Sequence, residues 1–219
     1  MRRFDVQRIA FWLLLCSGAG FAFRPFITDD AGTVVPSTFE LETSADYWHD
    51  KAAFGLCLKH GVTQRMDIGV SFGKCMLPED ASGYDPAELS IKFNFIPDRL
   101  SASFGGSFGD PCYSALLIYS QPIALFSLHA NLGYSAIGAD KEGFLTYALA
   151  WIAEIGRCAF GPEFGGTHES VDWWQAGCQV GITDWCAVDV ALGGNFKRDI
   201  DWNAATGLFF AFPPPKEEN

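Results

Sequence analysis

The sequence predicts an all-β chain folded as an antiparallel up-and-down transmembrane β-barrel of about 12 strands, the number that strands of membrane-spanning length would make of it. Three observations carry this expectation. In residues 60–73 a short polar turn leads into a strict alternation, Met66, Ile68, Val70 and Phe72 against Asp67, Gly69, Ser71 and Gly73, which is the period of a two-faced strand. The phrase returns at residues 181–194, with Val188, Val190 and Leu192 against Asp189, Ala191 and Gly193. The polar faces place Asp67 and Asp189 mid-strand, where a dry core would penalise an unpaired carboxylate; a polar interior with an apolar exterior removes the conflict. Finally, the connections between such runs alternate between short turns and longer polar loops, and the strands are even in number, as in an up-and-down membrane barrel with both termini at its periplasmic end.

Composition bounds the compartment. The 219 residues include 23 Gly, 20 Phe and 7 Trp, yet apolar residues never gather into a membrane-spanning helix. The one long apolar run follows Arg2, Arg3 and Arg8 and gives way to small residues, Gly20 and Ala22 among them. It reads as a signal peptide over residues 1–22. Leu15 is too large just before Cys16 for a lipoprotein box. The leader carries a net charge of +2, so the whole-chain charge of -11 becomes -13 once it is removed. No basic patch suits nucleic acid. Six cysteines, Cys57, Cys75, Cys112, Cys158, Cys178 and Cys186, follow the leader into a disulfide-permissive setting. Their spacing leaves the pairing open and forms no metal array, and no cofactor is expected.

After the leader comes Arg24-Pro25-Phe-Ile-Thr28-Asp29-Asp30-Ala-Gly32-Thr33, then a first strand over 38–47, with Phe39, Leu41, Ala45 and Tyr47 on one face and Glu40, Glu42, Ser44 and Asp46 on the other. This motif, followed at once by a Phe-Glu-Leu-Glu strand, resembles the start of a bacterial outer-membrane barrel family, the transporters assigned to the MetA pathway of phenol degradation. Later Gly-Ile/Val-Thr turns fit the same family. The resemblance implies an outer-membrane channel of a Gram-negative-type bacterium, passing small hydrophobic or aromatic solutes, with no chemical step.

Further strands are expected at 52–60 and 66–73, then a long loop over 74–87. In the fourth strand Leu89, Ile91, Phe93 and Phe95 oppose Glu88, Ser90, Lys92 and Asn94. The next are 100–108, 113–120, ended by a turn at Gln121-Pro122, and 126–134. Then come 144–154, 158–165, a loop at 167–170, and strands 171–181, 187–194 and 202–212. The domains are thus residues 1–22 as leader, 23–36 as a periplasmic N-terminal segment, 37–212 as barrel and 213–219 as tail. Leu208, Phe210 and Phe212 resemble the terminal signal read by the barrel-assembly machinery, although the tail runs past it.

Strand parity turns Glu40, Glu42, Asp46, Asp67, Glu88, Glu163 and Asp189 inward, against Lys59 and Lys92. In a water-filled bore this excess favours cations; the other reading is that the acids pair with nearby cations and fill a narrow barrel. Thr28, Asp29 and Asp30 form a capped turn before the first strand, with a plug in the barrel mouth or a cation site as alternatives. Ser127, His129 and Asn131 share a face, but a Cα spacing of about 7 Å argues against a nucleophile–base contact between neighbours. An outer-membrane lipid hydrolase built on His129 is therefore a lesser alternative, and a polar wall is the reading favoured. Tyr47, Trp151, Trp173, Trp174, Trp185 and Trp202 read as an interfacial girdle facing outer-membrane lipids. Cysteines in loops would staple them or link envelope partners; Cys57, Cys158 and Cys178 otherwise serve as small lipid-facing hydrophobes. A closed structural barrel is the alternative to a channel.

Overall fold

The computed structural model describes residues 25–48, 51–78, 82–108, 112–137, 142–196 and 202–213. The expected leader, Arg24 and the tail beyond residue 213 lie outside them. The strands are β1 (Phe39–Trp48), β2 (Lys51–Thr63), β3 (Met66–Leu77), β4 (Gly83–Tyr84), β5 (Glu88–Ile96), β6 (Leu100–Ser107), β7 (Cys112–Ile123), β8 (Phe126–Ile137), β9 (Glu142–Ile155), β10 (Cys158–Thr167), β11 (Ser170–Thr183), β12 (Cys186–Asn195) and β13 (Trp202–Phe212). Each is antiparallel to its neighbours. β1 pairs with both β2 and β13, and β2 with β3, so the sheet closes on itself as an up-and-down barrel. Twelve of the strands among the described residues form the wall; β4 pairs only with the end of β3.

Closure leaves the twelve-stranded wall without an edge strand, and alternation then divides each of its strands between lumen and exterior. The burial is inverted relative to a water-soluble protein. Glu42, Asp67, Asn94, Ser101, Asn131, Glu163, Gln175 and Asp189 are buried, whereas Leu192, Val190, Leu132 and Trp151 are exposed on the outer face. An exterior of this kind has lipid as its natural solvent.

Five connections, at residues 64–65, 97–99, 124–125, 156–157 and 184–185, are tight turns at one end of the barrel, here the short-turn end. Ala124 (φ 56°), Asp98 (φ 55°) and Gly156 (φ 62°) supply the positive φ that such hairpins need. The turn expected at Gln121-Pro122 is displaced to 124–125: Pro122 belongs to β7 and lies opposite Ser127 on β8. The loop expected at 74–87 is partly strand, because Lys74 and Cys75 pair with Tyr84 and Gly83. The loop expected at 167–170 shrinks to a two-residue turn as β10 and β11 both extend toward it. A register shift at Gly165/Gly166 accompanies that hairpin.

Of the aromatics expected in the girdle, Tyr47, Trp151, Trp174, Trp185 and Trp202 are exposed. Tyr47 and Trp202 touch across β1 and β13 with ring centroids 5.6 Å apart. Trp173 departs from the expectation: it is 7% exposed and packs against Gly165 inside the wall. Two adjacent tryptophans on one strand cannot both face lipid, because alternation sends one of them inward.

Candidate functional site, the lumen and its internal segment

The lumen is occupied by residues 25–34, which thread inside the barrel before β1 begins. This stretch has no strand partner of its own, so its backbone groups need acceptors and donors from the wall. Inward polar side chains supply them. Gln175 donates from Nε2 to Pro25 O at 2.6 Å. Glu163 accepts from Ile27 N at 2.8 and 2.9 Å, one to each oxygen, and from Thr28 N and Thr28 Oγ1 at 2.8 Å. A further donor to Glu163 is Gln175 Nε2, at 2.9 Å. The Glu163 side chain is 1% exposed; its burial is tolerable because donors converge on both oxygens.

Farther along, Asn131 pairs with Asp29 as a second peptide group would, accepting Asp29 N at 2.6 Å and donating Nδ2 to Asp29 O at 2.9 Å. Ser120 Oγ accepts Ala31 N at 2.8 Å, and Ala31 O accepts Asn94 Nδ2 at 2.9 Å and Ser101 Oγ at 2.5 Å. Asp67 Oδ2 accepts Val34 N at 3.0 Å. Lys92 Nζ closes an ion pair with Asp29 Oδ1 at 2.9 Å. Apolar contact adds to these: Phe26 is buried against Ala150 and Ile152 of β9, and Pro25 rests on Gly177 of β11.

The path follows from where these partners stand. Asp67, Asn94 and Ser101 sit beside the short turns, and Glu163 and Gln175 sit mid-strand. In chain order the described segment therefore starts against mid-strand positions of β10 and β11, crosses the bore and descends to the short-turn end at β3, β5 and β6. It leaves through Ser37, whose φ is 64° and whose N–H donates to Gly61 O at 2.9 Å. Gly61 must be glycine here: a Cβ on it would lie 2.1 Å from Val35 O.

The capped turn expected at Thr28–Asp30, with Asp29 or Asp30 as its acceptor, has Asp30 in that place, accepting Gly32 N at 2.6 Å. Thr28 and Asp29 are spent on the wall instead, because the lumen offers Glu163, Asn131 and Lys92 within reach. Of the N-terminal segment expected over 23–36, residues 25–34 lie within the barrel, the position named by the plug alternative, whereas Val35 and Pro36 are exposed.

All the expected inward acids but Glu88 take up two positions. Glu163 and Asp67 hold the segment. Glu40, Glu42 and Asp46 stand on the inner face of β1, and Asp189 of β12 reaches over Gly207 of β13 toward them, its Oδ2 2.8 Å from where a Cβ at residue 207 would sit. Gly207 lies opposite Ser44, between Glu42 and Asp46 along β1. Lys59 Nζ lies 2.8 Å from Glu42 Oε1. Glu88 reaches over Gly105 toward Ser114. Thr33 follows the capped Gly32 and leads into Val34.

His129 is more connected than the spacing argument allows. Its Nε2 lies 2.8 Å from Ser127 Oγ and its Nδ1 2.8 Å from Ser120 Oγ. Cα separation was the wrong measure, since an imidazole spans the gap. Asn131 does not join this chain; it serves Asp29. A Ser–His–Asn relay is thereby absent among these three residues. The six described cysteines are free. Cys57 points inward, opposite Ser71, which corrects its reading as a lipid-facing hydrophobe: parity with Gly55 and Lys59 settles its side.

Asn94, Ser101, Ser120 and Gln175 are the functional residues that sequence reasoning does not single out. Parity already turns Asn94 and Gln175 inward. What parity cannot reveal is that a backbone without a sheet lies there to be bonded.

No protein-family model matches the chain, and no curated protein matches it. Solved structures do. The KdgM porin superposes with a TM-score of 0.62 at 12% identity, covering 79% of this chain and 99% of its own. The COG4313 outer membrane channel from Pseudomonas putida F1 gives a TM-score of 0.65 at 8% identity, over 83% of this chain and 98% of that one. The NanC porin gives 0.56 at 8% identity, over 78% and 98%. These chains are outer-membrane barrels of the same architecture.

Proposed function

We propose that this protein is an outer-membrane channel for passive passage of small solutes, with a bore narrowed by residues 25–34 and lined by acids on β1 and β12. The observation that carries the reading is the pairing of an inside-out barrel with an interior segment held by side-chain hydrogen bonds. Such bonds can be exchanged for water, whereas the interstrand ladder of the wall cannot be released piecemeal. Glu40, Glu42, Asp46 and Asp189 place negative potential along the bore, which attracts cations and repels anions. The architecture shared with porins supports this reading. KdgM was also solved with oligogalacturonate, a polyanion for which an acidic bore is unsuited. The motif over residues 24–33 supports small hydrophobic or aromatic solutes instead. Export by the leader, insertion by the barrel-assembly machinery and short turns facing the periplasm complete the reading. The free cysteines leave disulfide links to envelope partners as part of it.

A second reading, a closed structural barrel, is favoured by the density of bonds that hold the segment. Single-channel recording of the refolded mature protein under a salt gradient separates the two. A steady current with a cation-directed reversal potential, reduced in Glu42→Gln, is the expected result. Correctly inserted, heat-modifiable barrels that pass no current would establish the closed barrel.

A further inference from the structure

The acidic arc already holds an ammonium group. Lys59 Nζ sits on Glu42 Oε1 at 2.8 Å, and both side chains are largely buried. Lys59 lies opposite Glu40 in the β1–β2 register, so two carboxylates of one strand flank it. On its other side the lysine stem passes over Gly69 of β3, its Cγ 3.6 Å from where a Cβ would be. The next inward residue of β3 is Asp67, directly opposite Lys92 of β5. Asp67 holds Val34 N, and Lys92 holds Asp29. From β1 to the internal segment the charges therefore alternate: Glu42, Lys59, Asp67, Lys92, Asp29.

We propose that the lumen takes primary ammonium cations, that such a cation replaces Lys59 on Glu42, and that the freed Lys59 turns to Asp67 and releases Val34. This rests on the channel reading above and names its solute class and its regulation. A primary ammonium brings the three N–H donors that Lys59 now offers; a quaternary ammonium brings none. The four-carbon lysine stem is flexible enough to swing; Gly69 itself carries no side chain, and the group that the stem passes there is Ser90 Oγ, 2.6 Å from where a Cβ on Gly69 would be. At Asp67 the arriving ammonium is a charged donor competing with the neutral amide of Val34, and charged donors form the stronger bond. The solute thus loosens the segment that narrows its own path.

The test follows the segment rather than the current. Ala31→Cys is introduced into the full mature chain with its native cysteines changed to alanine, because Ala31 is buried between segment and wall. Labelling by a membrane-impermeant maleimide is timed in ethylammonium chloride and in tetramethylammonium chloride at equal concentration. The expected result is several-fold faster labelling in ethylammonium, a response lost in Glu42→Gln. In Lys59→Met the rate should be the same in both salts. Equal rates in the parent, or an ethylammonium response that survives Glu42→Gln, would overturn the proposal. If the cysteine-free chain fails to fold, reversal potentials of the native chain replace labelling: a preference for ethylammonium lost in Glu42→Gln supports the proposal, and one retained overturns it. A barrel that shows the labelling response yet passes no ions sinks the channel reading alone, and a conducting barrel without the response sinks this proposal alone.

Discussion

Lys92 of β5 and Asp29 of the internal segment form an ion pair at 2.9 Å, joining the barrel wall to a stretch of chain that precedes the first strand. Both side chains are largely shielded from water. Removing one partner of a buried pair costs about 3–5 kcal/mol because the other charge is left uncompensated. In Lys92→Met the cheapest escape for Asp29 is for the segment to leave the wall. The expected outcome is a larger single-channel conductance, with Lys92→Met/Asp29→Asn returning toward the parent value. A double variant as open as the single one would show that the pair is not what seats the segment.

Glu163 accepts donors on both oxygens from Ile27, Thr28 and Gln175. Glu163→Gln replaces one acceptor by an NH2 that confronts backbone N–H groups, leaving about 1–3 kcal/mol of unsatisfied polar group at each lost bond. Proteoliposomes carrying this variant should swell faster in a small sugar, while the barrel keeps its heat-modifiable migration. Unchanged swelling would mean that the mid-wall contacts do not limit the bore.

Gly177 carries Pro25 so closely that a Cβ there would lie 2.7 Å from the proline Cγ. Gly177→Val should lift residues 25–28 from β11 without disturbing the strand, raising conductance. Gly181, four residues along, meets nothing nearer than 3.6 Å, so Gly181→Ala serves as the control and should behave as the parent.

Asp189 and Val190 are chain neighbours with opposite surroundings. Asp189→Asn should fold normally and shift the reversal potential toward that of an unselective pore, by removing one charge from the arc it shares with Glu42 and Asp46. Val190→Arg places a cation on the lipid face, where it costs about 2–4 kcal/mol near the bilayer midplane. It should therefore lower the refolding stability measured by urea titration in lipid vesicles and leave selectivity alone. A reversed pattern would contradict the assignment of the two faces.

The wall was legible in advance because each strand states its own orientation. Met66 to Phe72 against Asp67 to Ser71, or Val188 to Leu192 against Asp189 to Ala191, carry the two-faced period locally, and a closed sheet needs nothing else to sort its residues. Legibility weakened where pairing partners decide. Lys74 and Cys75 read as loop until Gly83 and Tyr84 supply a strand to pair with, and Pro122 reads as a turn until closure of β7 on β8 carries it one step further.

The chain by itself determined the barrel, the number of wall strands, the inward acids and, Trp173 apart, the outward aromatics, since alternation, short turns and aromatic ends are local properties of consecutive residues. Tertiary structure alone decided what fills the interior. Thr28 and Asp29 would cap a turn if nothing else were near, but their bonds reach Glu163, Asn131 and Lys92 across up to 135 positions of sequence. Contacts of that range exist only once the sheet has closed and brought distant strands around one bore, so no pattern within the segment could announce them.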